Sequence, residues 1–131
     1  MDAEELKKRT KQFAHRSVRL SLVLSNEALG NHIRKQLIRC ATSVASNYRA
    51  ACLAQSKADF AAKLSIVIEE TDECAFWMEF VLEEHLQKED RVGPLLHEAQ
   101  ELTAIFVAAR KTAKDRTGEF RKKEDSPNNN Q

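Results

Sequence analysis

The run "QLIRCATSVASNYRAA", residues 36–51, decides the fold. Leu37, Ala41, Val44, Tyr48 and Ala51 return at alternating steps of four and three, and Ile33 extends the series backwards. That is the period of a helix with one buried face, because a strand would alternate every second residue. Arg39, Ser43 and Asn47 fall four apart and form a polar stripe beside the apolar one. Ala41, Ser43, Ala45 and Ser46 are small, so another helix can approach closely.

Working outward, this helix spans about 31–54, with Gly30-Asn31 before it and Gln55-Ser56 after it. A preceding helix, about 3–24, carries Leu6, Phe13, Leu20 and Leu24, with Thr10 and Ser17 filling the stripe and Val18 and Leu22 widening it. A third helix, about 56–87, opens on Ser56 and Asp59, the spacing of a capping box. Phe60, Leu64, Val67, Thr71, Cys74, Met78 and Val81 form one stripe on it. Ile66, Glu70, Glu73, Trp77 and Phe80 form a second stripe, so this helix is expected to pack on two sides. Gly93-Pro94 opens a fourth helix, about 94–114, with Leu95, Ala99, Leu102, Phe106, Ala109 and Ala113 in register. The charged, polar segment 117–131 is expected to be a flexible tail. The fold expected is all-α: one antiparallel up-down-up-down four-helix bundle over 1–116. Three Gly and two Pro are too few for the turns of a β-sandwich or barrel.

Charge is segregated. Residues 1–63 hold twelve Lys and Arg against five Asp and Glu, a balance of +7. Residues 64–104 hold two against eleven, a balance of −9, and 105–131 return to +3. Attraction between helices or subunits is the first reading of this pattern, and a basic surface for nucleic acid is the second. Cys40, Cys52 and Cys74 lack CxxC spacing and are read as reduced core residues. The charged start MDAEELKKRTKQF is not a secretory signal, and no stretch approaches about 18 apolar residues, so a cytoplasmic location with no membrane contact is expected.

The chemistry expected is equally restricted. No Glu has a His three residues on, as a di-iron bundle requires, and no Gly-rich phosphate loop or G-x-S-x-G elbow occurs. The four His are read as solvated, with His97 and Glu101 at most a two-ligand pair. No cofactor, metal or small-molecule substrate is expected. Arg39 lies 16 residues before the turn at residue 55, and Glu70 and Glu73 lie 15 and 18 after it. In an antiparallel hairpin these heights match, so Arg39 should pair with one or both glutamates, with Ser43 and Asn47 satisfying groups nearby.

Two runs carry a family resemblance. Gln36, Leu37, Arg39, Ala41, Ser43, Val44 and Asn47, followed by Phe60, Lys63, Leu64, Ile66, Glu70, Glu73, Trp77 and Met78, resemble the helix-two and helix-three patterns of proteins encoded in 23S rRNA intervening sequences. The likeness spans roughly residues 10–114, with Ala50 standing where the pattern has an acidic residue. It implies an antiparallel four-helix bundle that assembles as a homopentamer. It also implies a distant similarity to the accessory protein of diversity-generating retroelements, which works with RNA.

The function expected is a non-catalytic, oligomeric scaffold that binds nucleic acid, RNA before DNA, or supports a nucleoprotein assembly. Lys7, Lys8, Arg9, Lys11, Arg16, Arg34, Lys35, Lys111 and Lys114 are the expected phosphate contacts, and Ile66, Trp77 and Phe80 the expected subunit contacts. The alternative is a protein–protein interaction module with no nucleic-acid role. An enzyme using Glu70 and Glu73 is the third reading, and is not expected.

Overall fold

Two side chains start helices where the sequence places them. Asp2 Oδ1 accepts the Glu5 N–H at 2.8 Å and opens α1 (Ala3–Leu22). Ser56 Oγ accepts the Asp59 N–H at 3.0 Å and opens α3 (Lys57–Glu83). Each satisfies a backbone donor that has no intrahelical partner. Between them lies α2 (Ala28–Ala51), and α4 (Glu89–Asn129) follows. The computed structural model describes residues 1–129, with side chains through residue 116. The expected tail, 117–131, lies outside the residues whose side chains are described.

The three connections, 23–27, 52–56 and 84–88, are short enough to force each helix antiparallel to the one before it. Consecutive helices pack together, and α1 closes the bundle against α4 over a lighter contact. Diagonal helices meet through large side chains: the Tyr48 ring of α2 reaches the Phe106 ring of α4, centroids 5.5 Å apart. Phe13, Ile33, Leu37, Val44, Leu64, Val67, Met78, Leu102 and Phe106 are fully buried. On α3 the expected core stripe is buried from Leu64 to Val81, with Phe60 partly buried. Of the second stripe Ile66 is exposed and Trp77 and Phe80 are partly buried, and Phe76, outside that stripe, is exposed as well. No helix among the described residues is long and apolar enough to cross a membrane.

Several boundaries moved, for local reasons. Leu22, expected to widen the α1 stripe, is exposed because α1 ends there; Ala14 and Ser21 flank the stripe instead. Cys40 and Cys74 are buried, but Cys52 lies just past α2 and is only half-buried. α4 starts at Glu89, ahead of Gly93-Pro94, and Pro94 sits one turn in, where it leaves the exposed Asp90 carbonyl without a helical donor.

α3 ends four residues early. His85 adopts φ 56°, the Leu86 N–H donates to the Val81 carbonyl at 2.9 Å, and the His85 N–H donates to Leu82 at 3.1 Å. This is a Schellman closure, with Leu86 folded back on the core, and it normally places glycine where His85 stands. A Cβ in the left-handed region costs about 1 kcal/mol. His85→Gly is therefore expected to raise stability by about 0.5–1 kcal/mol in urea unfolding. A loss of stability would mean that the imidazole makes a contact that outweighs the backbone cost.

The α1–α2 turn is held by one arginine. Arg34 Nε donates to the Ser21 carbonyl at 3.1 Å, and its Nη2 donates to the carbonyls of Leu24 and Ser25. These carbonyls lie at and just beyond the end of α1, where a cation is favoured. Gly30 fits because a Cβ there would meet the Ser25 carbonyl oxygen at 2.2 Å.

Candidate nucleic-acid interface

On α1, positions 4, 7, 8, 11, 14, 15 and 18 recur at helical spacing, one flank over from the buried stripe. On α2, positions 42, 45, 46 and 49 do the same. The small side chains Ala14, Ala45 and Ser46 leave a groove of about 740 Å³ between the two helices. Its floor is Ala14, Val18, Ala45, Thr42 and Ser46. Its walls are Lys7, Lys8, Lys11 and His15 from α1 and Arg49 from α2, with Glu4 as the single carboxylate. The Thr42 and Ser46 hydroxyls bond back to the α2 backbone, so the charged groups dominate the rim. Lys7 pairs with Glu4 at 2.9 Å, and that hydrogen bond raises its pKa. A second, smaller recess beside it is lined by Gln12, His15, Arg16 and Arg19.

The nine basic residues expected to contact phosphate divide into separate groups. Lys7, Lys8 and Lys11 share the groove, and Arg16 faces the adjoining recess. Arg34 is consumed in the turn described above. Arg9 is consumed in an α1–α4 clamp: it donates to both Glu98 oxygens at 2.8 and 2.7 Å and to Glu101 at 2.7 Å. The Arg9 hydrogen bonds hold the Glu98 carboxyl below its ordinary value, against the opposing pull of burial. Lys35, Lys111 and Lys114 are exposed elsewhere. Arg49 and His15 belong to the groove and were not among the expected contacts; their spacing from Thr42, Ser46 and Lys11 on the same faces is the signal that would have found them.

The polar stripe of α2 splits in two. Arg39 crosses to α3, donating to Glu70 at 3.1 Å and to Glu73. Trp77 Nε1 also donates to Glu73, at 3.2 Å. Ser43 and Asn47 bond to each other along α2, Nδ2 to Oγ at 2.7 Å. Arg39 is 48% exposed, so the pair lies at the seam's surface and is no buried charge. Over it lies an aromatic group: Trp77 meets His32 edge-on at 5.3 Å and Phe76 at 4.9 Å, with Phe80 beside them. Phe76, 51% exposed, was absent from the expected interface residues. His97 pairs with Glu101 at 3.3 Å, and no cluster of three or more metal-ligating side chains occurs among the described residues.

The architecture and the basic groove define a helical-bundle protein with a cationic face. The chain belongs to the family described as 23S rRNA-intervening sequence protein, which matches residues 4–108. It is similar to the crystal structure of a protein of unknown function from the S23 ribosomal protein family of Bacteroides thetaiotaomicron. Identity is 28%, the TM-score is 0.74, and the match covers 85% of this chain and 99% of that one. No curated protein matches.

Proposed function

We propose that this protein is a non-catalytic helical scaffold that binds RNA along the α1–α2 groove. One observation carries the reading: four cationic side chains and His15 line one groove with a single carboxylate among them. The family's association with rRNA genes supports RNA over DNA, and a cytoplasmic location goes with it. The two glutamates that an enzyme would need both accept hydrogen bonds from Arg39 instead of standing free.

Fluorescence anisotropy with a labelled RNA hairpin and a matched single strand tests this. With about four phosphate contacts, affinity should fall on the order of 10²-fold between about 50 and 200 mM salt. Reversing Lys8 and Lys11 to Glu should weaken binding at least about tenfold at the lower salt and flatten that dependence. No detectable binding of either RNA at about 50 mM salt would end the proposal.

The second reading, a protein–protein module, rests on the exposed Ile66 and Phe76 beside Trp77 and Phe80. It is compatible with the first if the groove and this aromatic face serve different partners. A homo-oligomer, with the pentamer favoured by the family likeness, uses that face as its subunit contact. Light scattering on a sizing column reads the mass directly, and a monomer peak would remove the oligomer from the proposal.

A further inference from the structure

Cys40 of α2 and Cys74 of α3 stand face to face inside the bundle. Both are fully buried, and their sulfurs are 3.2 Å apart. The Cys40 thiol faces the Leu37 carbonyl, and the Cys74 thiol faces Cys40 Sγ. A disulfide requires about 1 Å of further approach between the sulfurs. Cys52 lies about three turns further along the chain and has no comparable thiol opposite it.

We propose that Cys40 and Cys74 are an oxidation site, which hydrogen peroxide converts to a disulfide that ties α2 to α3, with the Arg39–Glu70–Glu73 cluster as its gate. The residue before Cys40 is Arg39 and the residue before Cys74 is Glu73, and the two pair across the same seam. The ion cluster therefore stands on the outer side of the same seam, at the height of the thiols. The reaction needs a thiolate. The hydrogen bond to Cys40 and burial push the Cys74 thiol up, so the closed seam keeps Cys74 protonated. When the seam opens, one thiol loses its proton and its sulfur attacks peroxide. The O–O bond breaks, leaving a sulfenic acid and water. The second sulfur then attacks the first, the S–O bond breaks, and a second water leaves. Two thiols are oxidised by two electrons in all, and one peroxide is reduced.

The test uses the full chain with Cys52→Ser, which removes the half-exposed thiol. After peroxide treatment, intact mass should fall by two hydrogens, and digestion should yield one peptide pair joining Cys40 to Cys74. The cross-link should raise Tm on the order of 10 °C, reversibly with a reductant. Adding Arg39→Ala should speed cross-linking severalfold, and about 1 M salt should do the same in the unmutated cluster, which covers the case of a poorly folded variant. Free thiols after prolonged peroxide, or sulfinic acid on either cysteine without the cross-link, would overturn the site. Equal rates with and without the cluster, in both comparisons, would overturn the gate.

Discussion

Phe106→Ala is expected to cost the bundle about 4 kcal/mol and lower Tm by about 10–15 °C. Phe106 is fully buried at mid-length on α4, and its ring is tilted against Tyr48 at 5.5 Å. That contact is where the diagonal pair α2 and α4 meet. Truncation to Ala removes the ring's transfer energy and leaves a cavity that four long helices cannot collapse to fill. The cost is a large share of the roughly 5–15 kcal/mol that holds a domain of this size. Val107, the next residue, is exposed, and Val107→Ala should change stability by less than about 0.5 kcal/mol. Chemical denaturation of both variants, followed at 222 nm, makes the comparison. A Phe106→Ala loss below about 1 kcal/mol would mean that the core repacks around the gap and that Tyr48 moves into it.

Phe106 was legible because its face is written in the local period: Leu95, Ala99, Leu102 and Phe106 all point inward, and all are buried. The same holds for Arg39. It and its glutamates lie on the two arms of one hairpin, so counting outward from one turn gives their relative height. The Arg9–Glu98 contact spans 89 positions and three connections, and no count from a single turn fixes it. The charge pattern did contain the outcome in coarse form. Among the described residues, both ion clusters that cross helices join the basic segment 1–63 to the acidic segment 64–104, at Arg9 with Glu98 and Glu101 and at Arg39 with Glu70 and Glu73. Which cations are spent that way, and which remain for a groove, depends on how each helix is rotated. Arg34 shows the same limit: beyond Asn31 on its own helix, its partners are the backbone carbonyls of Ser21, Leu24 and Ser25, which no side-chain pattern marks. His85 misled for another reason, since a left-handed closure usually announces itself with Gly or Asn.

Arg9→Ala should cost about 2 kcal/mol at neutral pH, the largest effect expected from any single charged side chain here. Exposed ion pairs contribute about 0–1 kcal/mol. This one differs because Glu98 is only 16% exposed and receives a two-pronged guanidinium. Removing Arg9 strands that carboxylate against α1, at the most lightly packed contact between adjacent helices. The Arg9 hydrogen bonds hold the Glu98 carboxyl below its ordinary value of 4.5. A lowered folded value means the pair's contribution is fully present above about pH 4.5 and fades as pH falls through the folded value. The gap between wild type and Arg9→Ala should therefore narrow as unfolding is measured from pH 7 down to about 3. Glu98→Ala in the Arg9→Ala background should cost far less than in wild type, because the two changes remove one interaction. RNA affinity should hardly change, since this guanidinium is already committed to α4. A gap that stays constant across the acid range would show that Arg9 acts through packing of its stem and not through Glu98. A loss of RNA binding as large as that of the Lys8 and Lys11 reversal would move the phosphate-binding surface from the α1–α2 groove toward α4.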